Sequence, residues 1–191
     1  MKIIFATHNQ NKVTELNQLI PKKYTLLSLN DIGCIKEIEE IGRTLEENAK
    51  IKADYVRYKY GLDCFSDDSG LEVDALNGAP GVFSARYAGH QKNNDDNIKK
   101  IWKELKGQSS PKASFRSIFH VHFNKKIFSF QGKVDGNLIF EKRGLRGFGY
   151  DPIFIPNGYN QTFGELRDTV KNKISHRALA TVQFLKLLER A

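Results

Sequence analysis

The first 30 residues predict a strand, a helix and a second strand. An almost wholly apolar run from Lys2 to Ala6 predicts a buried strand, and another strand is expected from Tyr24 to Leu29. Between them, apolar residues recur at helical spacing until Pro21, which ends the helix. The residues of that helical stripe are Val13, Leu16, Leu19 and Ile20.

The segment from Thr44 to Tyr60 predicts a longer helix. Thr44 and Glu47 form a capping box, and Gly61 supplies the stop. Lys52 lies on the apolar stripe of this helix, where a lysine either extends to the surface or meets anions at a site. The other residues of the stripe are Leu45, Ala49, Ala53, Val56 and Tyr60.

Two adjacent acids follow an apolar entry in the stretch from Cys64 to Gly70. This pattern is typical of a buried strand that delivers carboxylates to a cleft and ends there. Asp67 and Asp68 repel each other and lose hydration, so they need a cation or hydrogen-bond donors. The alternative is a turn, with Gly70 supplying the bend. Beyond it, a half-exposed strand is predicted from the alternation of Leu71, Val73 and Ala75 with Glu72 and Asp74.

The second half of the chain predicts a hairpin between helices. A helix is expected over 94–106, and strong alternation over 113–123 is followed by a turn and a return strand over 127–130. A last helix is predicted over 175–189. With the parallel-looking first half, the pattern indicates an α/β chain with a mixed sheet. The residues expected to face inward on the last helix are Leu179, Val182, Leu185 and Leu188.

Composition narrows the class of protein. With 191 residues and 40% hydrophobic content, the chain fits one domain, or one domain with two lobes. The net charge of +8 is spread in scattered pairs of bases, which favours handling of polyanions such as nucleotides over a nucleic-acid interface. No apolar run approaches the ~20 residues of a membrane span, and the N-terminal run is too short for a signal peptide. Two distant cysteines agree with a reduced, cytoplasmic setting.

Several polar motifs are candidates for binding. Thr7 to Lys12 lies where a strand runs into a helix start, which suits either a phosphate site or a simple helix cap. His120 and His122 share one face of a strand and can bind metal, but without a third ligand we interpret them as surface residues.

Two further motifs lie towards the end of the chain. A glycine-rich stretch around Phe148 lets the backbone approach a ligand, and Phe148 or Tyr150 could stack on a base. His176 and Arg177 oppose the dipole at a helix start, a local conflict that often marks a functional site.

These motifs, in this order and over nearly the whole length, resemble the inosine/xanthosine triphosphate pyrophosphatase family. Each motif alone is weak, whereas the complete set is specific. The motifs are Thr7-x-Asn9-x-x-Lys12, Glu40-Ile41-Gly42, Glu47-Asn48-Ala49 with Lys52-Ala53, Ser66-Asp67-Asp68-Ser69-Gly70-Leu71, Gly78-Ala79-Pro80-Gly81-Val82-Phe83-Ser84-Ala85-Arg86-Tyr87, Gly147-Phe148-Gly149-Tyr150-Asp151-Pro152-Ile153-Phe154, and Lys171 with Ile174-Ser175-His176-Arg177.

The resemblance implies a fold and an activity. The fold is α/β, with an elongated mixed central β-sheet flanked by helices and two lobes with the active-site cleft between them, forming a single two-lobed domain over 1–191. The activity is Mg²⁺-dependent hydrolysis of deaminated purine nucleoside triphosphates (ITP, dITP and XTP) to the monophosphate and pyrophosphate. A cytoplasmic homodimer without nucleic-acid or membrane partners is expected.

The resemblance also implies roles for individual residues. Glu40 and Asp68 would hold Mg²⁺, with Asp68 as the proton acceptor for the attacking water. The residues expected to bind phosphate are Thr7, His8, Asn9, Gln10, Asn11, Lys12, Lys52, Ser69 and Lys171. The residues expected to bind the base are Phe148, Gly149, Tyr150, Asp151, His176 and Arg177.

The chemistry of triphosphate cleavage agrees with this set, because it needs a hard cation on carboxylates, lysines against the phosphates and a base for water. Two alternatives stay open. One is a related pyrophosphatase acting on other modified nucleotides, and the other is a basic nucleic-acid-binding protein without catalytic activity.

Overall fold

The computed structural model describes residues 1–190. Within them the strands are β1 (Lys2–Phe5), β2 (Thr25–Leu27), β3 (Cys64–Val73), β4 (Lys112–Phe123), β5 (Lys126–Leu138) and β6 (Phe154–Pro156). The α-helices are α1 (Gln10–Leu19), α2 (Leu45–Tyr60), α3 (Asn94–Glu104), α4 (Asp168–Ile174) and α5 (His176–Glu189), and short 3₁₀ helices span Asp74–Leu76, Gly81–Arg86 and Asp151–Ile153. None of the helices in this described part is long and apolar enough to cross a membrane.

The six strands form one mixed sheet in the order β2-β1-β3-β4-β5-β6. β1 is parallel to β2 and to β3, whereas β5 and β6 are antiparallel. Asn124 and Lys125 connect β4 to β5 with φ angles of 49° and 61°, the left-handed conformation of a tight hairpin turn. The predicted α/β class with a mixed sheet is therefore confirmed.

The chain forms two compact units. Unit 1 comprises 1–68, 117–132 and the described residues from 177 onward, and unit 2 comprises 69–116 and 133–176. In unit 1 the core has stacked aromatic rings at its centre: the Phe5 and Phe65 centroids lie 4.6 Å apart, and Phe184 lies 4.6 Å from Phe65. In unit 2 the rings of Phe115 and Phe154 pack edge to face at 4.8 Å, with Leu71 and Val73 in the same core.

The predicted boundaries of α2 are confirmed. Thr44 Oγ1 accepts a hydrogen bond from the backbone N–H of Glu47, and Glu47 Oε2 accepts one from the N–H of Arg43. Gly61 adopts φ 67°, the left-handed conformation that ends the helix.

The proposed turn at Gly70 is wrong, and so is the prediction that the acidic strand ends there. β3 runs without a break from Cys64 to Val73. A Cβ on Gly70 would lie 2.2 Å from the carbonyl oxygen of Gly81, so the glycine permits a close backbone approach inside a strand rather than a bend. Ala75 belongs to the following 3₁₀ helix and not to a strand.

The predicted inward stripe of the last helix is also wrong in part. Leu179 and Val182 are 38% and 51% exposed, whereas Ala180 and Phe184 are buried. The buried face of α5 is the one that carries Arg177. This residue is 1% exposed because buried acids bind its guanidinium. Periodicity of apolar residues alone could not detect a helix face that begins with a buried charge.

Candidate active site

The first polar segment after β1 caps α1. The side chain of Asn9 accepts hydrogen bonds from the N–H groups of Asn11 and Lys12, at 3.0 and 3.2 Å. Thr7 Oγ1 in turn accepts from the N–H of Asn9. The helix-cap interpretation of Asn9 is confirmed, and it leaves Gln10 and Asn11 exposed at the helix start.

Asp67 is the centre of a buried ionic network in unit 1. Its carboxylate accepts hydrogen bonds from Ser117 Oγ at 2.6 Å and from Arg177 Nε at 2.8 Å, and it lies 3.2 Å from Lys12 Nζ. Arg177 also forms an ion pair with Glu15. Burial alone would raise the pKa of Asp67, but Arg177 and Lys12 hold that pKa well below its usual range.

Asp68 and Glu40 meet at a single ammonium group. Lys52 Nζ donates to Glu40 Oε1 at 2.6 Å and to Asp68 Oδ1 at 2.8 Å. Only 9% of the Lys52 side chain is exposed, so it does not extend to the surface. Lys52 and Lys12 both also donate to the backbone carbonyl of Asp67. The two acids predicted to share a cation therefore converge on one positive charge.

The electrostatics of this group differ from those at Asp67. Burial raises the pKa of Asp68, and Glu40 adds to the rise, although Lys52 and Lys12 oppose it. Burial alone would lower the pKa of Lys52, but Asp68 and Glu40 raise it above its usual value. Adjacent carboxylates on one strand thus have opposite pKa shifts.

The oxygens of Asp68 and Glu40 suit a hard divalent cation. Asp68 Oδ2 is buried and has no hydrogen-bond partner among residues 1–190. A buried carboxylate oxygen without a partner is costly, and coordination of a cation would remove that cost. Carboxylate oxygens are the ligands that Mg²⁺ prefers, and Mg²⁺ needs only one or two of them.

A second group of predicted site residues lies in unit 2, around Asp151. Asp151 Oδ2 accepts from Lys171 Nζ and from the N–H of Phe148, both at 2.8 Å. The ammonium of Lys171 also lies 5.8 Å from the ring centroid of Phe148. Gly147 has φ 73°, and a Cβ there would lie 1.9 Å from Asp151 Oδ2. The glycine therefore makes room for the carboxylate that fixes this loop.

The remaining predicted residues of unit 2 differ in exposure. Tyr150 is buried, and its hydroxyl donates to the carbonyl of Ser84 at 2.8 Å, whereas the ring of Phe148 is half-buried. His176 stacks on Phe115 with centroids 4.8 Å apart. Gly149, at φ 64°, and Ser69 are both partly exposed.

Two predicted residues have contacts that the sequence did not indicate. The ring nitrogens of His8 are within hydrogen-bonding distance of Asn30 Oδ1 and of the carbonyl of Lys36, at 2.9 and 3.1 Å. Arg177 lies buried beside Asp67 and Glu15, and its contact with a base stays a prediction.

Sequence reasoning missed Glu15 and Ser117. Ser117 interrupts the apolar alternation of Phe115 and Phe119, and a polar residue on such a face is the available signal for a buried contact. Glu15 lies in α1 among polar residues and carries no comparable signal.

The interpretation of His120 and His122 as surface residues is wrong. His122 is 6% exposed, and Asp54 from α2 supplies the third group that the sequence did not reveal. One ligand atom from each of these three residues lies within 4.8 Å of the others. We refer to Asp54, His120 and His122 as the His–Asp cluster.

Comparisons with curated proteins cover the whole chain. It is 50% identical over 190 residues to a protein of Christiangramia forsetii named dITP/XTP pyrophosphatase, covering 100% of both chains. It is 46% identical over 190 residues to a Bacillus subtilis protein of the same name, covering 97% of this chain and 96% of that one.

Solved structures agree with the fold. The Ham1 protein of Staphylococcus aureus superposes with a TM-score of 0.88 at 35% identity, covering 99% of this chain and 98% of that one. A HAM1 protein from Coxiella burnetii gives a TM-score of 0.90 at 36% identity, covering both chains completely. The family model described as the Ham1 family matches residues 3–187. With a match of this extent, the chain belongs to the Ham1 family.

Proposed function

We propose that this protein hydrolyses deaminated purine nucleoside triphosphates, ITP, dITP and XTP, to the monophosphate and pyrophosphate with Mg²⁺. The relatives named dITP/XTP pyrophosphatase support the substrate class. The observation that carries the proposal is the convergence of Glu40 and Asp68 on one cation position, beside buried lysines that suit a polyphosphate.

Glu40 and Asp68 would hold the Mg²⁺. When bound, the ion would neutralise phosphate charge and lower the pKa of a coordinated water. The oxygen of Asp68 without a hydrogen-bond partner supports this assignment.

Asp68 would accept the proton of the attacking water. The pKa of a water bound to Mg²⁺ is lowered, so a carboxylate beside that water can take its proton. Lys52 keeps the carboxylate oriented through Oδ1. Asp67, with its lowered pKa, would stay ionised and keep Lys12 in place.

The phosphates would be bound by Lys12 and Lys52, together with the polar segment from Thr7 to Asn11 at the start of α1. Ser69 and Lys171 would complete the phosphate contacts. The purine would be held by Phe148 and its neighbours Gly149 to Asp151, with His176 and Arg177. Donors at the 6-oxo position would exclude adenine, because an unpaired buried donor costs about 1–3 kcal/mol.

A homodimer, a cytoplasmic location and a single two-lobed domain over 1–191 remain part of the proposal, on the strength of the family resemblance. Light scattering of the purified chain tests the oligomeric state directly.

The experiment is pyrophosphate release from a panel of nucleotides with Mg²⁺, comparing wild type, Asp68→Asn and the exposed control Asp74→Asn. We expect turnover of ITP, dITP and XTP, a loss of at least about 100-fold in Asp68→Asn with the circular dichroism spectrum retained, and no change in Asp74→Asn. Preference for modified pyrimidines would favour the related pyrophosphatase. Salt-dependent DNA binding without pyrophosphate release would favour the nucleic-acid-binding alternative.

A further inference from the structure

The His–Asp cluster lies in unit 1, and the proposed hydrolysis does not use it. We propose that it is a binding site for a divalent transition metal such as Zn²⁺, with Nε2 of His120, Nε2 of His122 and Oδ1 of Asp54 as ligands. Nothing in the hydrolysis of a nucleotide by Asp68 requires this cluster, so the proposal is independent of the proposed function.

The local structure brings the three ligands together from two elements. Residues two apart on a strand point to the same side, so β4 presents His120 and His122 together. Asp54 lies on α2 and approaches both rings. The half-buried and buried positions of the rings exclude much of the competing water, as expected of a specific site and not of adventitious surface histidines.

The distances between the ligand atoms fit metal binding after a small movement of the side chains. Nε2 of His122 lies 2.7 Å from Asp54 Oδ1, and Nε2 of His120 lies 3.9 Å from the same oxygen. Tetrahedral Zn²⁺ with bonds of about 2.0 Å holds its ligand atoms about 3.3 Å apart. No two of the three ligand atoms lie more than 4.8 Å apart, so the most distant pair would have to approach by at most about 1.5 Å.

The ligand chemistry selects the class of metal. Two imidazoles and one carboxylate suit Zn²⁺, Co²⁺ or Ni²⁺, whereas Mg²⁺ prefers oxygen ligands alone. Nε2 of His120 is buried and has no hydrogen-bond partner within residues 1–190, so a metal would satisfy it. At His122 the metal would replace the hydrogen shared with Asp54, and the neutral ring would carry its proton on Nδ1. Water would complete the coordination.

Lys50 carries a positive charge that opposes metal binding at the His–Asp cluster. Its ammonium forms an ion pair with Asp54 Oδ2, one turn away on α2, and its side chain is 59% exposed. A cation bound at Oδ1 would be repelled by that ammonium. Removing the charge of Lys50 should therefore strengthen metal binding, an effect opposite in sign to the loss of a ligand.

The test uses the full chain without an affinity tag, stripped with EDTA and kept in excess Mg²⁺ so that Glu40 and Asp68 do not compete for the added metal. Zn²⁺ is titrated by calorimetry, and Co²⁺ is followed by its visible absorption. We expect one Zn²⁺ per chain, a Co²⁺ spectrum of tetrahedral or five-coordinate type, and a rise in Tm with Zn²⁺, because the metal binds only the folded state.

Three variants decide the interpretation. His120→Gln removes a ligand that makes no hydrogen bond through Nε2, so it should fold and should bind Zn²⁺ at least about tenfold more weakly. Lys50→Gln should bind Zn²⁺ more tightly than wild type. His90→Gln, an exposed histidine of unit 2, is the matched control and should bind as wild type does.

Equal Zn²⁺ affinity in His120→Gln and His90→Gln would overturn the proposal. So would the absence of saturable Zn²⁺ binding to wild type, because the cluster would then be a hydrogen-bonded group only. Weaker Zn²⁺ binding in Lys50→Gln would contradict the assignment of Asp54 as a ligand.

Discussion

Replacing Arg177 with methionine is the most informative perturbation of the buried network. The guanidinium is 1% exposed and forms ion pairs with Asp67 and Glu15, which are themselves buried. Removing one partner of a buried ion pair costs about 3–5 kcal/mol, because it leaves an uncompensated charge. Lys12 and Ser117 still contact Asp67, so we expect the lower end, about 3 kcal/mol.

The assay is urea unfolding of wild type, Glu15→Gln, Arg177→Met and the double variant. In thermal unfolding of the same proteins, a loss of about 3 kcal/mol corresponds to a fall in Tm of about 6–12 °C for a chain of this length. The double variant should recover at least about 1 kcal/mol relative to the sum of the single changes, because Glu15 no longer carries an unpaired charge. A loss below about 1 kcal/mol in Arg177→Met, or strict additivity, would refute the described network.

The pH dependence supplies an independent check on the same pair. Arg177 and Lys12 lower the pKa of Asp67 below its ordinary 3.8, despite burial. A carboxyl group whose pKa is lower in the folded than in the unfolded state stabilises the fold at pH values above the unfolded-state pKa. That stability is lost as the pH falls towards the folded-state pKa. The difference in unfolding free energy between wild type and Arg177→Met should therefore be full at pH 6 and shrink below about pH 4. A difference that stays constant down to pH 2 would contradict the ion pair.

Three further experiments test other parts of the structure. Gly147→Ala should destabilise unit 2 by more than about 1 kcal/mol in urea unfolding, because the methyl group would displace Asp151 and φ is positive; an unchanged midpoint would contradict this. Thr44→Ala should cost about 1 kcal/mol through loss of the α2 cap, whereas Thr44→Ser should cost little; equal losses would argue against the cap. Burial raises the pKa of Cys64 to about 12, so native protein should resist iodoacetamide at Cys64 at pH 8, and rapid labelling there would contradict the buried thiol.

Local signals in the sequence were sufficient to predict the elements that end at characteristic capping or turn residues. α2 begins at its capping box and ends at Gly61, and the hairpin turns where Asn124 and Lys125 follow an alternating strand. The pairing of Glu40 with Asp68 followed from the family resemblance, and the structure places both at Lys52.

Contacts between residues far apart in the sequence could not be predicted from local sequence patterns. The third member of the His–Asp cluster comes from Asp54, more than 60 positions before His120, and no spacing rule links them. Arg177 joins Asp67 across 110 positions, and the buried face that carries it leaves two of the four residues expected to face inward on α5 exposed. The role of Gly70 was also beyond such patterns, because its proximity to the Gly81 backbone leaves no trace in the residues beside it.

Because β3 is uninterrupted, the roles of its two acids depend on the register of the strand. Successive side chains of a strand point to opposite faces, so Asp67 reaches Arg177 while Asp68 reaches Lys52. Deleting one residue before them would move Asp68 to the position beside Arg177 and bring Ser69 to the position beside Lys52, which would lose its carboxylate. Insertions and deletions in this strand should therefore be tolerated far less than substitutions at its ends.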